Sequence, residues 1–163
     1  MWRVKPAVEK TGALRRIRDF RESDFDRLWA IDQACFDRDL AYSRAELRFY
    51  MTLPGAFTLL SEAGSICIGF VVGRAMRNRT GHIITIDVMS EARRHGTGSE
   101  LLSAAEARLR DAGCRVVTLE TAVDNIGAIT FYQRHGYSIM RTLRNYYSNG
   151  LDALEMRKNI GLA

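Results

Sequence analysis

At 163 residues, 47% hydrophobic and 26% charged, the chain has the size and composition of one globular domain with a single core. No apolar run reaches the roughly 18 residues of a membrane span, and residues 1–10 lack a secretory apolar stretch, so a cytoplasmic protein with no membrane partner is expected. A net charge of +5, carried mostly by arginines, suits nucleic acid or any polyphosphate ligand; the arginines are scattered and no reader motif occurs, so a nucleic-acid-binding domain rests on charge alone and is not the expected reading.

In chain order, residues 1–14 are polar and without periodicity, which predicts a loose tail before one domain over 15–160. Residues 15–20 alternate basic with apolar and read as a strand. Ser23 is the expected N-cap of a helix over 24–35, with Phe25, Leu28 and Ile31 at helical spacing. Ser43 and Glu46 have the spacing of a capping box for a second helix running to Met51, stopped by Pro54-Gly55. Residues 57–61 and 66–74 are strand-like and joined at Ala63-Gly64; residues 81–89 form another strand. Gly98, Leu101, Leu102, Ala105 and Leu109 recur at helical spacing up to Gly113. Residues 116–121 are a buried type of strand. Asp124 or Asn125 caps a short helix ending near His135-Gly136, and 137–143 with 151–157 form a last hairpin across Ser148-Asn149-Gly150. The alternation implies an α/β fold, with parallel pairing where a helix links two strands.

The three cysteines, Cys35, Cys67 and Cys114, are far apart and odd in number, so buried free thiols are expected rather than disulfides. Neither they nor His82, His95 and His135 show metal-ligand spacing, and no metal is expected.

The strand ending near Met89 feeds a basic, glycine-containing turn that opens a helix. The first amides of a helix have no internal partner and lie at the positive end of its dipole. Gly96 and Gly98 keep side chains out of the way, so the amides from Arg94 to Ser99 are suited to wrapping a pyrophosphate. Arg93 and Arg94 add charge; Thr97 and Ser99 add hydroxyls. A Walker A loop is excluded because no lysine follows either glycine, and Leu101 stands where a dinucleotide fingerprint needs its third glycine. What remains is Arg93-x-x-Gly96-x-Gly98, which is either an anion site or a plain strand-to-helix turn. Further on, Asn125, Ala128 and Tyr132 share one helical stripe, with an amide at one end and a phenol at the other. Asn125 is equally suited to capping that helix, while Phe131 points toward the core.

Together these two motifs, in this order and with the strand 116–121 between them, resemble the GNAT superfamily of acyl-CoA N-acyltransferases over roughly residues 15–160. The resemblance implies a mixed sheet of about seven strands, splayed in the middle and flanked by about four helices, with acetyl-CoA in the gap. It further implies that the Val88 backbone meets the acetyl end and that Arg93, Arg94, His95, Gly96, Thr97, Gly98 and Ser99 form the pyrophosphate turn. Asn125, Ala128 and Tyr132 would line the pantetheine side. Glu120, Cys35-Phe36, Arg144-Asn145-Tyr146-Tyr147 and Asp152-Ala153 are similar to the protein N-terminal acetyltransferase branch, which includes bacterial ribosomal-protein-alanine N-acetyltransferases. That branch often has prolines where Asp37 and Ser90 stand here.

From this likeness Glu120 is the expected base, Tyr132 the acid for the departing thiolate, and Phe36, Glu120, Tyr146 and Tyr147 the acceptor-binding residues. An α-amine of pKa near 8 is about a tenth neutral at pH 7, so a base helps, and direct attack in a ternary complex needs no covalent nucleophile. The expected partner is a protein N-terminus, handled by a monomer or weak homodimer. Three other readings stay open: a small-molecule amine or lysine side chain as acceptor, a non-catalytic acyl-CoA sensor, and Glu120 as a structural partner of an arginine.

Overall fold

The structure, a computed structural model, describes residues 14–161. Apart from Leu14, the expected tail lies outside the described residues. Seven strands and four α-helices follow in the order β1 (Arg15–Asp19), α1 (Phe25–Cys35), α2 (Arg44–Met51), β2 (Ala56–Ala63), β3 (Ile66–Ala75), β4 (Thr80–Val88), α3 (Thr97–Asp111), β5 (Val116–Ala122), α4 (Ile126–Arg134), β6 (Ser138–Leu143) and β7 (Ala153–Asn159). Short 3-10 turns precede α1 (Glu22–Asp24) and follow β4 (Ser90–Ala92).

The strands form one sheet in the order β1-β2-β3-β4-β5-β7-β6. β1 to β4 are an antiparallel meander, β4 and β5 are parallel through α3, and β7 lies antiparallel between β5 and β6. Leu101, Leu102, Ala105 and Leu109 press α3 onto one face, with Ile83, Val117 and Leu119 beneath them. Phe25, Leu28, Ile31 and Leu47 press α1 and α2 onto the other, against Leu60, Phe70 and Val72. Each fully buried leucine of these clusters contributes about 1.5–3 kcal/mol by leaving water.

Local chemistry accounts for the boundaries. Ser43 and Glu46 form both bonds of the capping box, Ser43 Oγ accepting the Glu46 N–H at 3.1 Å and Glu46 Oε2 accepting the Ser43 N–H at 2.7 Å. The expected Ser23 cap is corrected: Ser23 lies inside the 3-10 turn and Asp24 occupies the cap position. The Asp24 carboxylate accepts the Arg21 N–H at 2.7 Å and both terminal nitrogens of Arg18 at 2.8 Å, which winds the turn around Asp24 instead.

Two departures from regular pairing shape the centre. In β4, Thr85 pairs with Val72 but Ile83 pairs with Gly73, so Ile84 is an extra residue. A bulge exchanges the faces beyond it. Ile86 and Val88 therefore join the α3 side with Ile83, while Asp87 turns toward α1. Second, β4 and β5 pair only at Thr80 with Val116, Gly81 with Val117 and His82 with Thr118. From there on the two strands separate, and the sheet opens into a V. Gly81 lies under Leu109, whose side chain takes the space of a Cβ, 2.7 Å away, and keeps α3 close at the joined end.

Candidate active site

The fork between β4 and β5 opens on a cavity of about 480 Å³. Its walls are Ile84 and Ile86 from β4, Glu120 and Ala122 from β5, Asn125, Ala128 and Tyr132 from the start and face of α4, and the 36–42 loop after α1. Of the acceptor residues expected from sequence, Phe36, Glu120 and Tyr147 line this space. Tyr146 is set behind Tyr147, edge to face at 5.0 Å and 48% exposed, and is not part of the wall.

At the last paired rung, His82 Nε2 stands 2.7 Å from Glu120 Oε2. Among the described residues no arginine bonds Glu120; its neighbour is an imidazole to which the sequence alone assigns no role. An ionised carboxylate only accepts, so Nε2 carries the proton of this bond. Both side chains stay partly exposed, at 25% and 20%, and Glu120 lines the cavity.

Tyr132 is buried and lines the cavity, and its hydroxyl has no hydrogen-bond partner among the described residues. Burial, helped by the charges of Asp87 and Tyr147, pushes its phenol well above the usual range. It is thus a proton donor throughout neutral pH. Cys67 and Cys114 are buried as expected, but Cys35 is corrected: it is half-buried and opens on the cavity. Its Sγ lies 3.4 Å from the Val88 carbonyl, and burial pushes the thiol pKa up, so it offers no ready thiolate.

At the open end, the turn before α3 has two residues in the left-handed region, Arg94 at φ 64° and Gly96 at φ 84°. Among the described residues no acceptor takes the backbone N–H groups of Arg94 through Ser99; the first amide used after them is Glu100, which donates to Gly96. The result is a run of free donors at the positive end of a 15-residue helix. Arg94 and His95 are exposed beside it. Arg15 of β1, unforeseen from sequence, also reaches it: its Nη2 lies 3.6 Å from where a Gly96 Cβ would be, while bonding Glu100 at 2.7 Å.

Three expected phosphate contacts stand differently. Arg93 turns back, its Nε donating to the Val88 carbonyl at 3.0 Å. The Thr97 side chain is buried, its Oγ1 without a partner among the described residues. Ser99 Oγ is engaged by His135 Nε2 at 2.9 Å. His135 Nδ1 bonds the Phe131 carbonyl at 2.7 Å, which only accepts, so a neutral His135 takes its second bond from the Ser99 hydroxyl. Gly98 makes room less for an anion than for Phe131, whose ring would sit 3.4 Å from a Cβ there. Asn125 does cap α4, its Oδ1 accepting the Ala128 N–H at 3.1 Å, while also lining the cavity.

Among the described residues no group of His, Cys, Asp and Glu could hold a metal ion, and no helix is long and apolar enough to cross a membrane.

Known proteins match this arrangement. An N-acetyltransferase of Methanocaldococcus jannaschii is 34% identical over 143 residues, covering 87% of this chain and 90% of that protein. An N-alpha-acetyltransferase of Sulfurisphaera tokodaii is 29% identical over 164 residues, covering 92% of this chain and 96% of its own. The crystal structure of Ard1 from Thermoplasma volcanium superposes with a TM-score of 0.81 at 28% identity, covering 91% of this chain and 99% of that one. The profile of the acetyltransferase (GNAT) family matches residues 16–137. The chain belongs to that family, as an acetyl-CoA-dependent N-acetyltransferase.

Proposed function

We propose that this enzyme acetylates the α-amine at the N-terminus of a protein or peptide, and that His82 and Glu120 together receive the amine's proton. The observation that carries this reading is the 2.7 Å contact between the two side chains at the apex of the fork. The identity of the Sulfurisphaera relative as an N-alpha-acetyltransferase supports the acceptor class.

Acetyl-CoA supplies an activated thioester. The free amides of Arg94 to Ser99, with Arg94 and His95 beside them, hold its diphosphate; Asn125, Ala128 and Tyr132 border its arm. Glu120 takes the proton the amine loses as it attacks, directly or through a water, and the Nε2–H of His82 steadies the carboxylate before that transfer. In this reading the Val88 N–H, at the end of β4, stabilises the developing oxyanion. Tyr132 faces the leaving sulfur. A thiol of pKa near 8.5 is a stronger acid than this buried phenol, so Tyr132 stabilises the thiolate chiefly by donating a hydrogen bond. Phe36 and Tyr147 border the first residues of the acceptor.

A screen of peptides with varied first residues, beside free lysine and polyamines, tests this. Acetylation of α-amines at rates well above lysine is expected; preference for lysine or polyamine would overturn the acceptor, and no turnover with any amine would favour an acyl-CoA sensor.

A further inference from the structure

Behind the acceptor loop lie two buried acids, and among the described residues no cation bonds either. Asp32, in the last turn of α1, is fully buried, and Asp87, next to last in β4, is 1% exposed. The two carboxyls are in contact with each other. Asp32 Oδ2 accepts the Tyr42 N–H at 2.8 Å and Gln33 Nε2 at 3.2 Å; Asp87 Oδ1 accepts the Thr85 hydroxyl at 2.6 Å. The other oxygen of each, Asp32 Oδ1 and Asp87 Oδ2, is buried with no donor among the described residues.

Two ionised carboxylates buried side by side repel each other and leave two acceptors unanswered, which is strongly unfavourable. One proton held between them turns the same contact into a charge-assisted hydrogen bond. Among the described residues, the titratable and charged groups facing the pair are Glu46 of α2 on the Asp32 side, and Cys35, Tyr42, Tyr132 and Arg93 around Asp87. Of these only Arg93 is a cation, and its Nε is committed to the Val88 carbonyl.

The pair connects two parts of the site. The Tyr42 peptide closes the 36–42 loop: its N–H is held by Asp32, and its carbonyl accepts Trp29 Nε1 at 3.1 Å and Gln33 Nε2 at 2.7 Å. Phe36, Asp37, Asp39 and Leu40 of that loop line the cavity. Asp87, at the other side of the contact, directly precedes Val88.

We propose that Asp32 and Asp87 share one proton, and that this carboxyl–carboxylate bond is the positioning element fixing the 36–42 loop, one wall of the acceptor pocket, to β4. The positioning role rests on the acceptor-site reading above; the shared proton is testable without any substrate. A carboxyl that keeps its proton when folded and loses it when unfolded makes stability fall as pH rises, from the ordinary carboxylate range up to its raised folded value.

The experiment is thermal unfolding of the substrate-free protein from about pH 5 to about pH 9, for the wild type, Asp32→Asn, Asp87→Asn and the double variant. Either single asparagine supplies its own N–H to the remaining carboxylate, so each flattens the decline of Tm with pH and keeps the fold. In the double variant Tyr42 and Thr85 claim the two amide oxygens and leave two NH₂ groups facing each other. It should melt below both single variants. An additive rise in Tm across the series, as expected from relieving two bare charges, would overturn the shared proton, as would a pH dependence unaltered in both single variants.

For positioning, the double variant should raise the KM for acceptor peptide about tenfold while leaving that for acetyl-CoA within about twofold, the scale of coupling between residues in contact. Equal rises in both would overturn the positioning role. Failure of acetyl-CoA to stabilise the wild type would sink the cofactor reading instead, with the pH result still standing.

Discussion

The imidazole of His82 and the carboxylate of Glu120 meet at 2.7 Å on the last rung that joins β4 to β5, where His82 pairs with Thr118. The fork thus begins at a bonded acid–base pair, and the cavity that widens beyond it has Glu120 on one wall and Tyr132 on another.

If the pair works as a unit, Glu120→Gln and His82→Ala each lower kcat, the first by roughly 10²–10⁴-fold, the usual span for a general base. The double variant should be little worse than Glu120→Gln alone, because each change disables the same step. Steady-state kinetics check this; losses that multiply would show two independent roles.

Tyr132→Phe should also slow turnover by roughly 10²–10⁴-fold. Its hydroxyl bonds no protein group among the described residues, so Tm should barely move. A large fall in Tm with normal kcat would reassign the residue to packing.

The glycines and hydroxyl of the turn should separate in a binding titration with acetyl-CoA. Gly96 sits at φ 84°, where an alanine costs about 1–2 kcal/mol and shifts the amides. Gly96→Ala should weaken binding by about tenfold or more, the worth of a charge-assisted hydrogen bond. Gly98→Ala adds a Cβ at 3.4 Å from Phe131, and Ser99→Ala removes a hydroxyl already held by His135. Both should stay within about threefold of the wild type, as substitutions outside the binding contact do.

Acid sensitivity should trace to Arg18. Its guanidinium bonds both oxygens of Asp24 at 2.8 Å and Glu62 at 2.7 Å, and it holds both carboxyls below the usual carboxylate range. Groups with depressed folded pKa values stabilise the fold above the unfolded value, near 4, and lose that contribution as pH falls through the folded one. Tm of the wild type should therefore fall below about pH 4, and Arg18→Met should start lower at pH 7 and fall less steeply.

Sequence periodicity and turn chemistry were enough for most of the elements, and for locating the turn before α3 and the start of α4, because capping boxes, glycine stops and helical stripes are local. The 2.7 Å partner of Glu120 was not legible: the residues are 38 apart, and only the parallel register of β4 and β5 brings them together. The Asp32–Asp87 contact was hidden for a similar reason, since the bulge at Ile84 decides which face Asp87 takes. Ser23 misled because a side chain's capping preference lost to the tighter claim of Asp24 on Arg18 and Arg21. Arg93 precedes α3 and Ser99 lies in its first turn, but their side chains are spent on Val88 and His135, which local sequence does not reveal.

Backbone ¹⁵N–¹H shifts recorded during titration with CoA would test the cofactor turn most directly. The largest downfield changes are expected at the amides of residues 94–99, since these free N–H groups would take the diphosphate. Saturable binding that leaves those six signals in place, with the changes elsewhere, would contradict it.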